Sequence, residues 1–244
     1  MSEKKITLTT ADGEMDAFLA APNGNGSAPA LIVIQEAFGV NEDIRDICRG
    51  LAAAGYLALA PEMFHRDGRS VEFGYSEFDK VMPAMGRLSN EGLNMDMKAA
   101  YDYLASSPLA EKSQIGIVGH CMGGFAAFLA ACRLPVNAVV CFYGGGIVHH
   151  RPGIGFKPLL DEANRIRAPF LGFFGGKDQG IPQSDVDAIR AKLQECGVDQ
   201  EIVVYPEAGH GFSCERRPSY HAEASKDSWR RMLAWLEIKM GKRH

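Results

Sequence analysis

The segment Gly116-Ile117-Val118-Gly119-His120-Cys121-Met122-Gly123-Gly124 constrains the fold more than any other part of the chain. An apolar run leads into a glycine-flanked cysteine, and the helix-prone stretch 125–131 follows directly. This order predicts a strand, a sharp turn and a helix, with Gly-x-Cys-x-Gly at the turn. Small residues two before and two after the cysteine would let strand and helix approach closely while its backbone is strained. The motif therefore predicts a thiol presented to a ligand at a strand–helix turn.

Strand and helix patterns alternate along the rest of the chain. Two alternating runs around Asp12-Gly13 predict an N-terminal antiparallel hairpin. Continuous apolar runs, typical of strands buried on both faces of a parallel sheet, follow at 31–34, 56–60, 115–118, 138–142, 170–174 and 201–205. Helix patterns lie between them at 42–54, 93–104, 122–132, 185–196 and 220–240.

This alternation predicts an α/β fold with a single doubly wound, mainly parallel sheet preceded by the hairpin. No repeat or linker divides the sequence, so we expect one domain over residues 1–244. Residues 67–90 have the least regular pattern, and a cap or lid over the site is one interpretation of them.

Composition excludes several classes of function. The net charge of −4 and the lack of a basic stripe give no basis for binding nucleic acid. No apolar run is long enough to span a bilayer, so no membrane partner is expected. The six cysteines have neither CxxC nor zinc-like spacing, which predicts no metal site and favours a reduced, cytoplasmic setting.

Chemically reactive residues follow the predicted parallel strands at the points where the strands end. Glu36, Cys121, Asp178 and His210 each come just after an apolar run. Because the carboxyl ends of parallel strands meet at one edge of the sheet, we expect these side chains to lie close together. His210 would take the thiol proton, and Asp178 would accept a hydrogen bond from the other ring nitrogen. The following helix would favour the thiolate.

Backbone and neighbouring side chains complete the predicted site. The N–H groups of Met122 and Ala37 would hold a tetrahedral oxyanion, and Phe38 and Tyr143 would line the substrate pocket. Simpler interpretations stay open for the four central residues. The cysteine is also compatible with a small buried residue, the aspartate with a helix cap or loop turn, the histidine with a surface loop and the glutamate with a solvated strand end.

Over essentially its whole length the sequence resembles the dienelactone hydrolase family. The resemblance rests on the motifs Gln35-Glu36-Ala37-Phe38-Gly39-Val40-Asn41, Ala60-Pro61-Glu62, Gly119-His120-Cys121-Met122-Gly123-Gly124, Tyr143-Gly144, Gly176-Lys177-Asp178 and Gly209-His210-Gly211-Phe212. It implies an α/β-hydrolase fold and a cofactor-independent Cys–His–Asp hydrolase that opens lactones or esters through a thioester. It also implies that Glu36 partners the resting thiol and swings away when substrate binds, helping to generate the thiolate.

The sequence departs from the family at the substrate carboxylate clamp. The family places one arginine four residues after the histidine, where this chain has Cys214, and the other near the position of Lys80. Arg216 or Arg217 can reach the site only by a different loop path, and we take Arg217 as the candidate substrate-binding residue. A broad carboxylesterase or thioesterase and a non-catalytic binding protein are the alternative functions. The expected partner is a small lactone or ester, and the expected state is a monomer or weak homodimer.

Overall fold

The structure, a computed structural model, describes residues 1–24 and 26–241, so the last three residues of the expected domain lie outside the described part. One eight-stranded sheet runs through it in the order β1-β2-β4-β3-β5-β6-β7-β8. Its strands are β1 Ser2–Thr10, β2 Gly13–Ala21, β3 Ala28–Ile34, β4 Leu57–Pro61, β5 Ala110–His120, β6 Val139–Phe142, β7 Phe170–Gly175 and β8 Gln200–Tyr205. The first two form the antiparallel hairpin, and β3 to β8 are parallel to one another.

Helices follow or precede each parallel strand. They are α1 Glu42–Ala53, α2 Phe78–Arg87, α3 Asn90–Ser106, α4 Met122–Arg133, α5 Gln183–Glu195 and α6 Ala222–Met240, with short 3₁₀ turns at His65–Asp67 and Leu160–Arg165. The chain winds from β3 to β4 in one direction and then from β4 to β5 in the other. Because such crossovers are right-handed, this reversal places helices on both faces of the sheet. The α/β-hydrolase architecture expected from the sequence is confirmed.

Hydrophobic burial explains why the central strands form where they do. All seven residues of β3 are buried, as are all residues of β4, β6 and β7. A strand covered by helices on both faces has no solvent side, so its sequence is apolar without alternation. The carboxyl ends of β3, β5, β6 and β7 are neighbours in the sheet, which brings the loops that follow them together.

The irregularity expected for residues 67–90 is wrong for their second half, which forms α2. Val81, Ala84 and Met85 are buried on its inner side, while Pro83 lies inside the helix and obscures the helical pattern. The preceding residues border the predicted site, since the Phe73 N–H donates to the Phe38 carbonyl. Among the described residues, no helix combines the length and apolar character needed to cross a membrane.

Candidate active site

Cys121 occupies a strained turn between β5 and α4. Its backbone has φ 56° and ψ −114°, a region that a residue with a side chain rarely adopts and that costs on the order of 1–3 kcal/mol. A Cβ atom at Gly119 would lie 1.8 Å from the Gly123 carbonyl oxygen, and one at Gly123 would lie 2.4 Å from the Ile34 carbonyl oxygen. Both flanking glycines are therefore sterically required, as the sequence motif predicts, and the thiol is partly exposed at the turn.

A histidine from a distant loop contacts this thiol, and an aspartate from another loop contacts the histidine. The Nε2 atom of His210 lies 3.1 Å from the Sγ atom of Cys121. On the other side of the ring, Nδ1 lies 2.7 Å from Oδ2 of Asp178. The aspartate follows β7 and the histidine follows β8, so the parallel strands deliver all three groups to one edge of the sheet. The structure thus brings together the three residues that the sequence selects.

Asp178 has a second set of hydrogen bonds through its other oxygen. Its Oδ1 atom accepts from the backbone N–H of Gly180 at 2.8 Å and of Ile181 at 3.2 Å. The side chain is almost fully buried. The turn-forming and histidine-orienting interpretations are therefore compatible, because each uses a different carboxylate oxygen. The turn holds the carboxylate still and leaves Oδ2 for the imidazole.

Opposite charges around His210 stabilise its protonated form. Burial alone disfavours the charged ring, but the negative charge of a Cys121 thiolate and the hydrogen bond to Asp178 outweigh that cost and raise the pKa of His210 to about 10. Because Nε2 of His210 lies within hydrogen-bond distance of the thiol, the imidazole can take the thiol proton and later return it. The arrangement can supply both a nucleophile and a proton donor.

Glu36 follows β3 and is buried beside Arg217. Its Oε1 atom accepts a 3.1 Å hydrogen bond from Nη1 of Arg217, and both side chains are largely withdrawn from solvent. Burial raises the pKa of the Glu36 carboxyl, although the guanidinium and His210 oppose that rise. The same guanidinium lies over the Phe38 ring at 5.4 Å. Glu36, Phe38 and Arg217 therefore form one cluster after β3.

The three candidates for the missing carboxylate clamp have different positions. Arg217 reaches the site, and its guanidinium lies against Gly211, where a Cβ atom would be 2.1 Å from Nη1. Arg216 instead pairs with Asp43 and Asp46 on α1, and the exposed Lys80 pairs with Glu77.

Glu36 also differs from the resting arrangement that the family resemblance implies. Among the described residues its hydrogen-bond partner is Arg217, while the thiol contacts His210.

Two backbone donors near the thiol remain available. The N–H of Met122 begins α4 and so has no acceptor within the helix. Neither it nor the N–H of Ala37 donates to another group in the described part of the chain. Gln35 fixes the turn that carries the second donor, since its buried side chain donates to the Glu36 carbonyl and accepts from the Met63 N–H.

Tyr143 and two residues outside the sequence prediction shape the surroundings. The buried Tyr143 ring makes an edge contact with His210, and its hydroxyl lies 2.6 Å from Ser213 Oγ. Tyr75, just before α2, packs edge-on against Phe38, and its hydroxyl contacts the Cys214 thiol. Ser213 and Tyr75 lie in irregular segments, where no periodic pattern signals which side chains face inward.

One group of possible metal ligands lies away from this site. Ligand atoms of Asp12, His65 and Asp96 lie within 4.8 Å of one another. Arg66 donates to both carboxylates at 2.7–3.2 Å, and His65 Nε2 lies 3.0 Å from Asp96. A guanidinium already supplies the positive charge that a cation would bring, so this group is an ion-pair network.

The sheet is doubly wound, and a residue of positive φ lies at a strand–helix turn. An acid and a histidine follow later strands. Together these features define the α/β-hydrolase fold class. The model of the dienelactone hydrolase family matches residues 15–239, and the chain belongs to that family.

Sequence and structure comparisons agree with this membership. Two proteins named "Putative carboxymethylenebutenolidase" are similar to the chain. That of Yersinia pestis is 38% identical over 95% of this chain and 86% of its own, and that of Synechocystis is 34% identical over 96% of each. The crystal structure titled "Putative Dienelactone Hydrolase" from Klebsiella pneumoniae has a TM-score of 0.87 at 35% identity, covering 96% of this chain and 98% of that one. The chain is a hydrolase of this family.

Proposed function

We propose that the protein hydrolyses a lactone or carboxylic ester through a thioester acyl-enzyme, with Cys121 as nucleophile, His210 as acid and base, and Asp178 as the residue that orients the imidazole. The observation that carries this proposal is the continuous hydrogen-bonded series Sγ–Nε2–Nδ1–Oδ2 at 3.1 and 2.7 Å. Each distance lies within reach of proton transfer or tautomer control.

The first half of the reaction forms the thioester. The thiolate sulfur attacks the carbonyl carbon, and the carbonyl oxygen becomes an oxyanion held by the N–H groups of Met122 and Ala37. Both donors are otherwise unused within the described residues. The carbon–oxygen bond to the leaving group then breaks, and His210 gives its Nε2 proton to the departing oxygen.

Water completes the cycle. Neutral His210 takes a proton from water, and the resulting hydroxide attacks the thioester carbon. The carbon–sulfur bond breaks, the carboxylic acid leaves, and the thiolate–imidazolium pair is restored. Asp178 keeps the same hydrogen bond throughout, because its position is fixed by the turn at Gly180 and Ile181.

Glu36 modulates the thiol in this proposal, and Arg217 contributes to substrate binding. The carboxyl has a raised pKa and is held beside the site by a guanidinium that also covers Phe38. A substrate carboxylate that competes for Arg217 would release Glu36 from its partner. The displaced carboxylate would then change the charge around the thiol, which couples substrate binding to nucleophile reactivity.

Turnover of 4-nitrophenyl acetate and of a dienelactone tests the proposal in wild type, Cys121→Ala and Cys121→Ser. We expect Cys121→Ala to lose at least about a thousandfold in kcat. Iodoacetamide labelling followed by peptide mapping should modify Cys121 faster than Cys196, which is also partly exposed and serves as an internal control. Full turnover by Cys121→Ala would overturn the assignment, and ester turnover without lactone turnover would favour a broad carboxylesterase.

A further inference from the structure

Tyr143 stands at a strained position directly after β6. Its backbone has φ 37°, and among the described residues that carry a side chain only Ser70 and Cys121 also have a positive φ. The turn is fixed on both sides of the tyrosine. The Tyr143 N–H donates to the Phe173 carbonyl at 2.7 Å, and a Cβ atom at Gly144 would lie 2.7–3.0 Å from three neighbouring atoms. A glycine would adopt this φ without strain, so the tyrosine side chain is held here at a cost in free energy.

The tyrosine hydroxyl has a partner in the loop that carries the histidine. Tyr143 is almost fully buried, and its hydroxyl oxygen lies 2.6 Å from Oγ of Ser213. Burial raises the pKa of Tyr143 well above its usual value, so the phenol stays neutral and either hydroxyl can donate. A buried hydroxyl without this partner would lose the hydrogen bonding that water supplies in the unfolded chain. The two side chains therefore fasten the end of β6 to the segment between β8 and α6.

The same tyrosine packs against residues on both sides of a glycine in this loop. Its ring lies edge-on to His210 at 5.2 Å and to Phe212 at 5.3 Å. Gly211, which separates them, has φ 75° and no side chain of its own to hold the loop. Ser213 follows directly. Tyr143 therefore contacts three of the four residues from 210 to 213.

The position of the imidazole depends on contacts of this kind because its acidic partner holds the ring at only one end. Asp178 fixes Nδ1 at 2.7 Å, whereas Nε2, which would exchange the proton, lies 3.1 Å from Cys121 Sγ. A ring anchored at one nitrogen can still swing about that contact, and a misplacement of about 1 Å costs roughly 100-fold in rate. The Tyr143 ring and its hydrogen bond to Ser213 add two restraints, one on the imidazole and one on its loop.

We propose that Tyr143 and Ser213 are positioning residues, and that the hydrogen bond between their hydroxyls keeps Nε2 of His210 directed at the reacting atoms. The inference rests on the proposed function, because it concerns the group that would donate a proton to the leaving oxygen. Neither hydroxyl takes part in the chemistry itself. Loss of either one should let the loop shift, and proton donation should suffer more than substrate binding.

Esters that differ in their need for a proton donor test the inference. 4-Nitrophenoxide leaves readily as an anion, whereas phenoxide is more basic and needs a proton to compete with the thiolate as leaving group. We expect Tyr143→Phe and Ser213→Ala each to lower kcat/KM for phenyl acetate by about 5- to 30-fold. The value for 4-nitrophenyl acetate should fall by less than about threefold. A role in stability alone would lower both values equally, because it changes only the amount of folded enzyme.

Two further variants make the result specific. The double variant Tyr143→Phe/Ser213→Ala should lose no more than the larger single loss, since each change removes the same hydrogen bond. Tyr205→Phe is the matched control, because its ring also packs edge-on against Phe212, at 5.2 Å, but its hydroxyl donates to Asp227 on α6. Its ratio of the two esters should stay within about twofold of wild type.

The ratio of kcat/KM for phenyl acetate to that for 4-nitrophenyl acetate decides the outcome. A ratio that either single variant leaves unchanged overturns the inference, and so do additive losses in the double variant. Urea unfolding of each variant shows that folded proteins are being compared. The proposed function fails separately, if Cys121→Ala still hydrolyses either ester.

Discussion

Glu36 and Arg217, 181 residues apart in the chain, are joined by a 3.1 Å hydrogen bond at the edge of the candidate active site. The carboxylate is supplied by the end of β3 and the guanidinium by the loop between β8 and α6. Burial makes the charged carboxylate costly, and the guanidinium offsets part of that cost. The protonation state of Glu36 therefore depends on the pH and on the contact with Arg217.

Glu36→Gln should stabilise the protein more at pH 7 than at pH 4. The pKa of Glu36 is raised in the folded protein, so the protonated carboxyl is favoured by folding. The stability that this carboxyl contributes is fully present below its pKa in the unfolded chain. It is lost as the pH rises through its pKa in the folded protein. Urea unfolding at both pH values measures the difference. Glu72→Gln, at an exposed carboxylate that pairs with Arg45, is the control, and equal effects of Glu36→Gln at the two pH values would contradict the prediction.

Asp178→Asn should retain the fold and lower kcat by about 10²- to 10⁴-fold. The N–H groups of Gly180 and Ile181 require an acceptor, so the amide oxygen will face them and the amide NH₂ will face His210. Nδ1 must then become the acceptor, which places the ring proton on Nε2 in the neutral histidine. The alkaline limit of the pH–rate profile should also move down, because an anion that raises the pKa of His210 has been removed. An unchanged profile would rule out this role.

His120→Phe should protect the protein against acid. His120 is buried, stacks on Phe142 at 4.4 Å, and its Nδ1 has no hydrogen-bond partner among the described residues. Burial lowers its pKa to about 3, so the unfolded chain takes up a proton below about pH 6.5 that the folded one refuses. Stability is then lost as the pH falls from 6.5 towards 3, by roughly 3 kcal/mol at pH 4.5. Urea unfolding of wild type and variant should show a shallower acid slope for the variant, and parallel slopes would refute this.

Gly123→Ala should destabilise the fold by at least about 2 kcal/mol and abolish activity. Its methyl group would meet the backbone oxygen of Ile34 at 2.4 Å, and a strand carbonyl cannot rotate away. An alanine in an open helix position would instead be mildly favourable. Gly209→Ala is the matched control beside His210, because a Cβ atom there meets nothing within 4 Å. Urea unfolding compares the two, and similar stabilities would show that the strand and helix have room to separate.

Local patterns could predict the buried strands and the meeting of Cys121, Asp178 and His210 at one edge of the sheet. A strand buried on both faces has an uninterrupted apolar sequence. The residue after such a sequence lies at the end of the strand, and its position does not depend on the conformation of the loop that follows. Asn41 caps α1, since its side chain accepts from the Ile44 N–H. The polar first half of β5, residues 110–114, was missed because its burial pattern is mixed.

Loop geometry and charge pairing could not be read from the sequence. The position of Arg217 depends on a succession of turns in which Cys214, Arg217 and Tyr220 each donate to a carbonyl three residues earlier. No periodicity signals such a path. The helix α2 was hidden by Pro83 and by the exposed apolar residues Phe78 and Met82 on its outer side.

The collision distances around Gly119 and Gly123 have a consequence for how this site can diversify. The strand and helix meet closely at these two glycines, and the atoms that a Cβ there would meet belong to the backbone and not to the Cys121 side chain. Exchanging sulfur for oxygen there would change a single atom and leave the scaffold untouched. Position and reactivity are therefore separable properties of this turn: the framework sets where the side chain of residue 121 lies, and one atom decides how readily it gives up its proton.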